Sequence, residues 1–415
     1  MKTKFYLIPI ICLFFAGCGK VVNDEDNVKV QVEERHDIVL TKAQKEYVKK
    51  GNELSYALLL EVAKQEEVSF TVSPLSLEYV LAMLSNGAKG NTQLEILEAL
   101  GYESGELEEV NKFYQYLTDA LYKVDSSVDL CLANTIVVNS AFATLNDNYV
   151  DAVHTYYDAL IAAYNFANNA GEALSAINKW ASDNTKGLIP TLVDEFDPLA
   201  RMILANALYF KGAWNSSVEF KSSDTKEEYF YRADGSKKKN KFMNTEARVG
   251  FHSRGNGYQA VRLPYGNGAF VLDILLPDEN EGIDVVLNAK DEDLSFTPLK
   301  VKLRIPKFEI TTGIKLNDIL YNLNIKSMFT LASDFKGIFS DDSNALVNKV
   351  FQKSVFKIDE KGTEGATVTY VDLIAGANLG REPSIPTFYA TRPFIYIIRE
   401  VSTNAILFAG AYNGN

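Results

Sequence analysis

The stretch DEKGTEGATVTYVDLIAGANLG, residues 359–380, lies a few dozen residues from the C-terminus and decides how the chain is read. It opens like a turn and closes like a loop, yet its middle is dense in Thr, Val and Tyr, residues that favour strands. Split by strand alternation, one face carries Thr363, Gly365, Thr367, Thr369, Val371, Leu373 and Ala375, all uncharged and mostly small. The other carries Glu364, Ala366, Val368, Tyr370, Asp372, Ile374 and Gly376, including both acids. Such a segment can enter a sheet with one face on a core and the other in water. The pattern leaves two readings open: a strand already in place, or an exposed excursion able to become one.

Working outward, helical periodicity dominates the first part of the chain. In LEEVNKFYQYLTDALY, Leu107, Val110, Phe113, Leu117 and Leu121 form one stripe. TQLEILEALG sets Thr92 three residues before Glu95, the spacing of a capping box, and ends on Gly101 as a C-cap. Strands dominate later. MILANALYF, residues 202–210, is a nearly continuous apolar run, as for a strand buried on both faces. YQAVRLPYGNGAFVLDILLP predicts a hairpin turning at residues 265–268, and PFIYIIREVSTNAILFAGAY another turning near 402–404. Helices first and antiparallel strands later predict an α+β domain.

The chain has 415 residues, 47% of them hydrophobic, enough for a large core. A net charge of -12 argues against nucleic acid or an anionic membrane surface as a direct partner. Basic residues form no patch along the sequence; the densest cluster, SKKKNK at residues 236–241, reads as a solvated hairpin tip. The start is predicted to be a secretory signal over residues 1–17, with Lys2 and Lys4 ahead of an apolar run too short to span a membrane. Phe15-Ala16-Gly17-Cys18 resembles a bacterial lipobox, which would make Cys18 the acylated mature N-terminus. Residues 18–38 are polar and charged, as a tether should be, and 39–415 form the folded domain. Export to the bacterial envelope, with the membrane touched only through the lipid, is the expected location. Of three cysteines, Cys12 goes with the signal and Cys18 with the lipid, so Cys131 has no intramolecular partner and is expected to be a buried structural thiol.

Enzyme chemistry finds little to stand on. His36 falls in the tether, His154 on a helical stretch and His252 near a turn, and no pair has metal-ligand spacing. No nucleophile elbow, phosphate-binding loop or dinucleotide fingerprint occurs, so neither a metal nor another cofactor is expected.

A resemblance separates the two readings of the opening stretch. DEKGTEGATVT is similar to the reactive-loop hinge of serpins, the serine protease inhibitor superfamily. FTVSPLSLEYVLAMLSNGAKGNTQLEILEALGY, INKWASDNTKGLI, NALYFKGAW, LRIPKFEITTGIKLNDIL and the closing hairpin also resemble family signatures, in order, over residues 41–412. The resemblance implies one domain of three β-sheets with about nine helices and an exposed reactive-centre loop, held in a metastable state. It implies no catalysis. A target protease attacks the loop, and the cut loop inserts as a strand in the central sheet while the acyl-enzyme persists. Glu360, Gly362, Thr363, Glu364, Gly365, Ala366, Thr367, Val368 and Thr369 match the hinge. Ser73, Ser76 and Asn206 match the shutter under that sheet, and Trp214 the breach where insertion starts. Two positions depart from the pattern. Gly365 stands where Ala is usual, at a cost of about 0.5–1 kcal/mol in a strand, and Gln352 replaces a His, which removes pH sensitivity there. Counting from the hinge puts the cleaved bond at Gly376-Ala377, with Ala375 and Arg381 as alternatives. The small residues suit elastase-, subtilisin- or papain-like endopeptidases, and Arg381 a trypsin-like one. A monomer is expected. The competing readings are a non-inhibitory serpin acting as a binding module and a secreted hydrolase.

Overall fold

The structure, a computed structural model, describes residues 34–142, 144–195, 197, 199–253, 257–288, 294–341, 344–363 and 385–415. Residues at the end of the predicted tether already touch the domain: Arg35 donates to the Gly268 carbonyl and the Ile38 N–H to the Ser402 hydroxyl. Helix α1 (Lys42–Gln65) is opened by Thr41 and Gln44, each side chain accepting from the other's backbone N–H. Strand β1 (Phe70–Val72) leads into α2 (Pro74–Ser85), capped by the Ser73 hydroxyl with Pro74 in its first turn. Next come α3 (Gly90–Ala99) and α4 (Leu107–Leu121), the latter burying Val110, Phe113, Leu117 and Leu121 of the expected stripe.

The capping box at Thr92 is not present. Helix α3 starts earlier, at Gly90, and Thr92 is buried with its hydroxyl accepting the Asp334 N–H. Glu95 instead accepts the backbone N–H groups of Lys326 and Ser327. Tertiary partners took both side chains from their local roles. Gly101, at φ 85°, ends the helix as expected, with the Tyr102 N–H reaching back to the Leu97 carbonyl.

Strand β2 (Asp129–Asn139), α5 (Asp147–Tyr157), β3 (Leu160–Tyr164), α6 (Ala170–Asn184) and β4 (Met202–Ala213) follow. The remainder is mostly sheet: β5 (Lys226–Tyr231), β6 (Lys237–Ser253), β7 (Tyr258–Pro264), β8 (Phe270–Pro277), β9 (Thr297–Pro306) and β10 (Phe308–Lys315). The short helices α7 (Asp284–Leu287) and α8 (Asn317–Asn322) interrupt it. Last come β11 (Phe351–Ile358), β12 (Gly362–Thr363), β13 (Thr387–Tyr389), β14 (Phe394–Glu400) and β15 (Ile406–Tyr412). Both predicted hairpins form, β7 with β8 and β14 with β15. The domain is α+β, with eight α-helices among the described residues where about nine were expected.

The strands assort into three sheets. The largest runs β1-β15-β14-β8-β7-β6-β9-β13 with β5 on β6, and its middle strands β8, β14 and β15 are buried along their whole length. The second runs β12-β4-β2-β3 and the third is the pair β10-β11.

Three details differ from the sequence reading. The hairpin tip is residues 232–236, so Lys237, Lys238, Lys239 and Lys241 lie on β6 rather than in the turn. Strand pairing does gather basic residues: β5, β6 and β9 together carry nine Lys or Arg against three Glu. His252 is a buried strand residue, stacked on Tyr258 with its Nδ1 3.1 Å from the Ser295 carbonyl.

Candidate functional site

Among the described residues, sheets two and three meet at one end only. Strand β11 turns into β12 through a tight hairpin closed by two hydrogen bonds between Asp359 and Gly362, of 3.0 and 3.1 Å. β12 pairs antiparallel with β4, Gly362 opposite Ala213 and Thr363 opposite Gly212. Below those two residues no ladder joins β4 to β11 among the described residues, and the strands part around a cavity of about 700 Å³. Two strand edges facing each other unpaired leave rows of N–H and C=O groups without ladder partners, an arrangement that favours another strand between them.

Tight backbone packing holds the closed end. A Cβ on Gly362 would run into the Gly212 carbonyl, and one on Gly212 would press on the Tyr265 ring, so only glycine lets β12 lie against β4 here. Gly362 is also at φ 126°. Thr363 is buried, its hydroxyl 2.8 Å from the Tyr265 hydroxyl. Tyr265 stacks on Trp214 with ring centroids 4.8 Å apart, and the Trp214 indole N–H donates to the Asp359 carbonyl at 3.0 Å. Glu360, in the hairpin turn, is clamped by the Lys307 ammonium and the Thr225 hydroxyl. Burial would push its carboxyl up, but these hydrogen bonds outweigh it and hold the group below the usual carboxylate range.

The cavity floor is the start of α2. Gln352 of β11 accepts the Ser73 N–H at 2.9 Å and donates to the Ser73 carbonyl at 2.8 Å. The Ser73 hydroxyl donates to the Leu407 carbonyl and accepts the Ser76 N–H. Across the gap, the Asn206 amide donates to Asn134 at 2.8 Å. The buried Asn206 carboxamide oxygen has no partner among the described residues. Ser73, Ser76, Asn206 and Gln352 thus line one cavity from both sides, while Trp214, Glu360, Gly362 and Thr363 gather at its closed end.

Other candidate residues lie elsewhere. Glu364, Gly365, Ala366, Thr367, Val368 and Thr369, the bond Gly376-Ala377, the alternatives Ala375 and Arg381, and Cys18 fall outside the described residues. Cys131 is half-buried on β2, 3.7 Å from the Asn184 carboxamide oxygen, and burial raises its thiol. His36 is exposed and His154 sits in the last turn of α5.

Sequence reasoning missed three contributors to the site and one buried acid outside it. Tyr265 was read only as a turn residue, and Lys307 and Thr225 carried no signal because they reach Glu360 from connections distant in the chain. Glu78 was also missed. It lies on α2 with its carboxyl buried, accepts from the Tyr114 hydroxyl at 3.1 Å, and is pushed up to about 7 by burial. A single acid inside PLSLEYVLAMLS was the available hint.

Comparison with known proteins places this geometry in a family. The sequence matches the Serpin (serine protease inhibitor) family over residues 49–414. Iripin-3 of Ixodes ricinus is 31% identical over 373 residues, covering 88% of this chain and 93% of the relative. An uncharacterized serpin-like protein of Thermococcus kodakarensis is 29% identical, covering 99% and 98%. Among solved structures, the native state of the thermophilic serpin tengpin superposes with a TM-score of 0.78 at 24% identity, over 93% of this chain and 98% of that one.

Proposed function

The chain belongs to the serpin family, and from that premise we propose that it is a suicide-substrate inhibitor of endopeptidases. A serine endopeptidase, or a cysteine one, attacks the loop between β12 and β13. Its nucleophile forms an ester or thioester with the loop carbonyl, and the loop's C-terminal side leaves as a new amine. Before water hydrolyses the acyl bond, the freed strand enters between β4 and β11 and carries the enzyme away from the loop's starting position. Trapping is then a contest between insertion and hydrolysis.

The observation that carries this reading is the gap itself, with β12 already seated at its closed end. Continuing the register of Thr363 on Gly212 takes each later loop residue one position down β4, and Met202, where β4 begins, would receive Leu373. The hairpin register on the other side would set Gly365 between Phe210 and Phe356, Thr367 between Leu208 and Ser354, and Thr369 between Asn206 and Gln352. Phe356 and Ser354 are buried, so the incoming face has to be small and uncharged. That is the composition of the Thr363-to-Leu373 face. A Thr hydroxyl at 369 would also reach the Asn206 oxygen, which lacks a partner among the described residues.

The same count bears on the cleaved bond. Gly376-Ala377 lies just past Leu373, so nearly all the released strand is paired. Cleavage after Arg381 would leave several more residues beyond the end of β4. We therefore favour the small-residue bond and elastase-, subtilisin- or papain-like targets. Anchoring to the envelope through Cys18 completes the proposal: an inhibitor shielding the surface it is tethered to.

Incubation with elastase, a subtilisin, papain and trypsin, followed by denaturing gels, tests it. A covalent band at the summed mass is expected for at least one enzyme, and mass spectrometry of the released C-terminal peptide should begin at Ala377. Cleavage by all four without any such band would leave the non-inhibitory binding role instead.

A further inference from the structure

The chain as a whole is strongly acidic, yet the β5-β6-β9 region of the large sheet has an excess of six positive charges, nine Lys or Arg against three Glu. Register concentrates part of it. On β6 and β9, Arg248 lies directly opposite Lys300, and the next rung sets Glu246 opposite Lys302. Like charges facing across a ladder cost stability, and among the described residues Glu246 lies on the same face as these three cations. It bonds Lys300 at 2.5 Å, while the Lys300 side chain remains 61% exposed and Arg248 and Lys302 are exposed too. One rung further, Arg304 is spoken for, paired with Glu228 at 2.5 Å and stacked 4.4 Å over the Tyr389 ring.

Position gives this cluster a use. β13 runs parallel to β9 with Thr387 beside Lys302, and the Lys302 N–H donates to the Pro386 carbonyl at 2.9 Å. The chain returning from the loop therefore lands beside Lys300 and Lys302. We infer that the face formed by Arg248, Lys300 and Lys302 docks the acidic rim of an endopeptidase engaged on the loop, on the side C-terminal to the cut bond. This rests on the inhibitory reading for its partner. Surface charges act over about 10 Å at 0.1 M salt, so this face is felt by an enzyme held on the loop beside it. Steering of this kind raises association rates by roughly 10- to 1,000-fold at low salt. Without the face, the remaining negative charge would repel an acidic enzyme. Glu246 and Glu228 interleave the cations, a checkered pattern that matches discrete carboxylates on a protein better than a continuous polyanion.

The test compares the full chain with its Arg248→Glu/Lys302→Glu variant, using an anionic and a cationic trypsin as probes. The rate of attack on the loop is counted as trapped plus cleaved chain, at 50 and 300 mM salt. The wild type should be attacked by the anionic trypsin several-fold faster at low salt, and the variant should lose at least fivefold of that rate. The cationic trypsin should be unaffected or faster with the variant, and the melting temperature unchanged. Equal rates for both chains, or equal losses with both trypsins, would overturn the docking face. So would retention of the wild type but not the variant on a sulfated polysaccharide with both trypsins indifferent, which would give the face to a polyanion. Absence of any trapped band sinks the inhibitory reading separately, because attack rates are read whether or not trapping follows.

Discussion

Replacing Thr363 by Arg should convert the inhibitor into a substrate. Thr363 is buried against β4, and the space beneath it is about 20 Å³, lined by apolar side chains that include Phe210, Phe356, Ile398 and Phe408. That volume holds little more than one water, so a guanidinium cannot be accommodated. Glu360, three residues earlier, is already bonded to Lys307 and Thr225. Burying an unpaired charge there costs several kcal/mol, so the hinge would stay out of the gap. The partition is sensitive to far less. Slowing insertion tenfold takes only about 1.4 kcal/mol, and would drop a trapped fraction of one half to roughly a tenth. The assay is a titration of a fixed enzyme, reading trapped and cleaved chain on the same gel. Loop cleavage should proceed at the wild-type rate while the covalent band disappears. Thr363→Val, which loses only the bond to Tyr265, should still trap, separating charge from loss of a hydroxyl. Undiminished trapping by the Arg variant would falsify the insertion mechanism.

Three further outcomes follow from the site and its surroundings. Glu78→Gln should stabilise the protein at pH 8 but not at pH 4: its carboxyl is raised to about 7 in the fold, so native stability is full below the unfolded value near 4.5, falls from there to 7, and is flat above. The difference is about 3 kcal/mol, and a wild-type melting curve with no slope over that window would contradict it. Lys307→Ala should lower the melting temperature by loosening the Glu360 clamp. Because Glu360 is depressed in the fold, its contribution is present above the unfolded value and lost as pH falls through the folded one, so wild type and variant should converge in acid. Gly365→Ala should raise the trapped fraction, since Ala fits a strand better by about 0.5–1 kcal/mol, whereas Gly365→Leu should lower it by crowding Phe210 and Phe356. Equal trapping by the Ala and Leu variants would refute the register used above.

What was legible in the sequence was set by neighbours in the chain. The turn between β7 and β8 needs Gly266 and Gly268 at positive φ, and the local residues supply them. The α4 stripe and the Gly101 stop are equally local. Expectations failed where distant partners intervened. Thr92 had the spacing of a cap, but Asp334, brought in from far along the chain, took its hydroxyl. The cationic face was invisible because Arg248 and Lys300 become neighbours only through strand register. At the candidate site, family-like residues pointed to Trp214 and Gln352, yet the Tyr265–Thr363 bond and the Lys307–Glu360 clamp needed the fold. The open gap had no sequence signature, since a buried strand reads alike whether its edge is paired or waiting.

Everything depends on the intact molecule lying uphill of its loop-cleaved form. Differential scanning calorimetry on the domain before and after cleavage of the loop by a non-trapped protease measures that difference directly. Filling the gap with a strand that pairs on both edges should raise the melting temperature by at least about 10 °C. A cleaved form that melts at or below the temperature of the intact one would mean that no strand enters between β4 and β11.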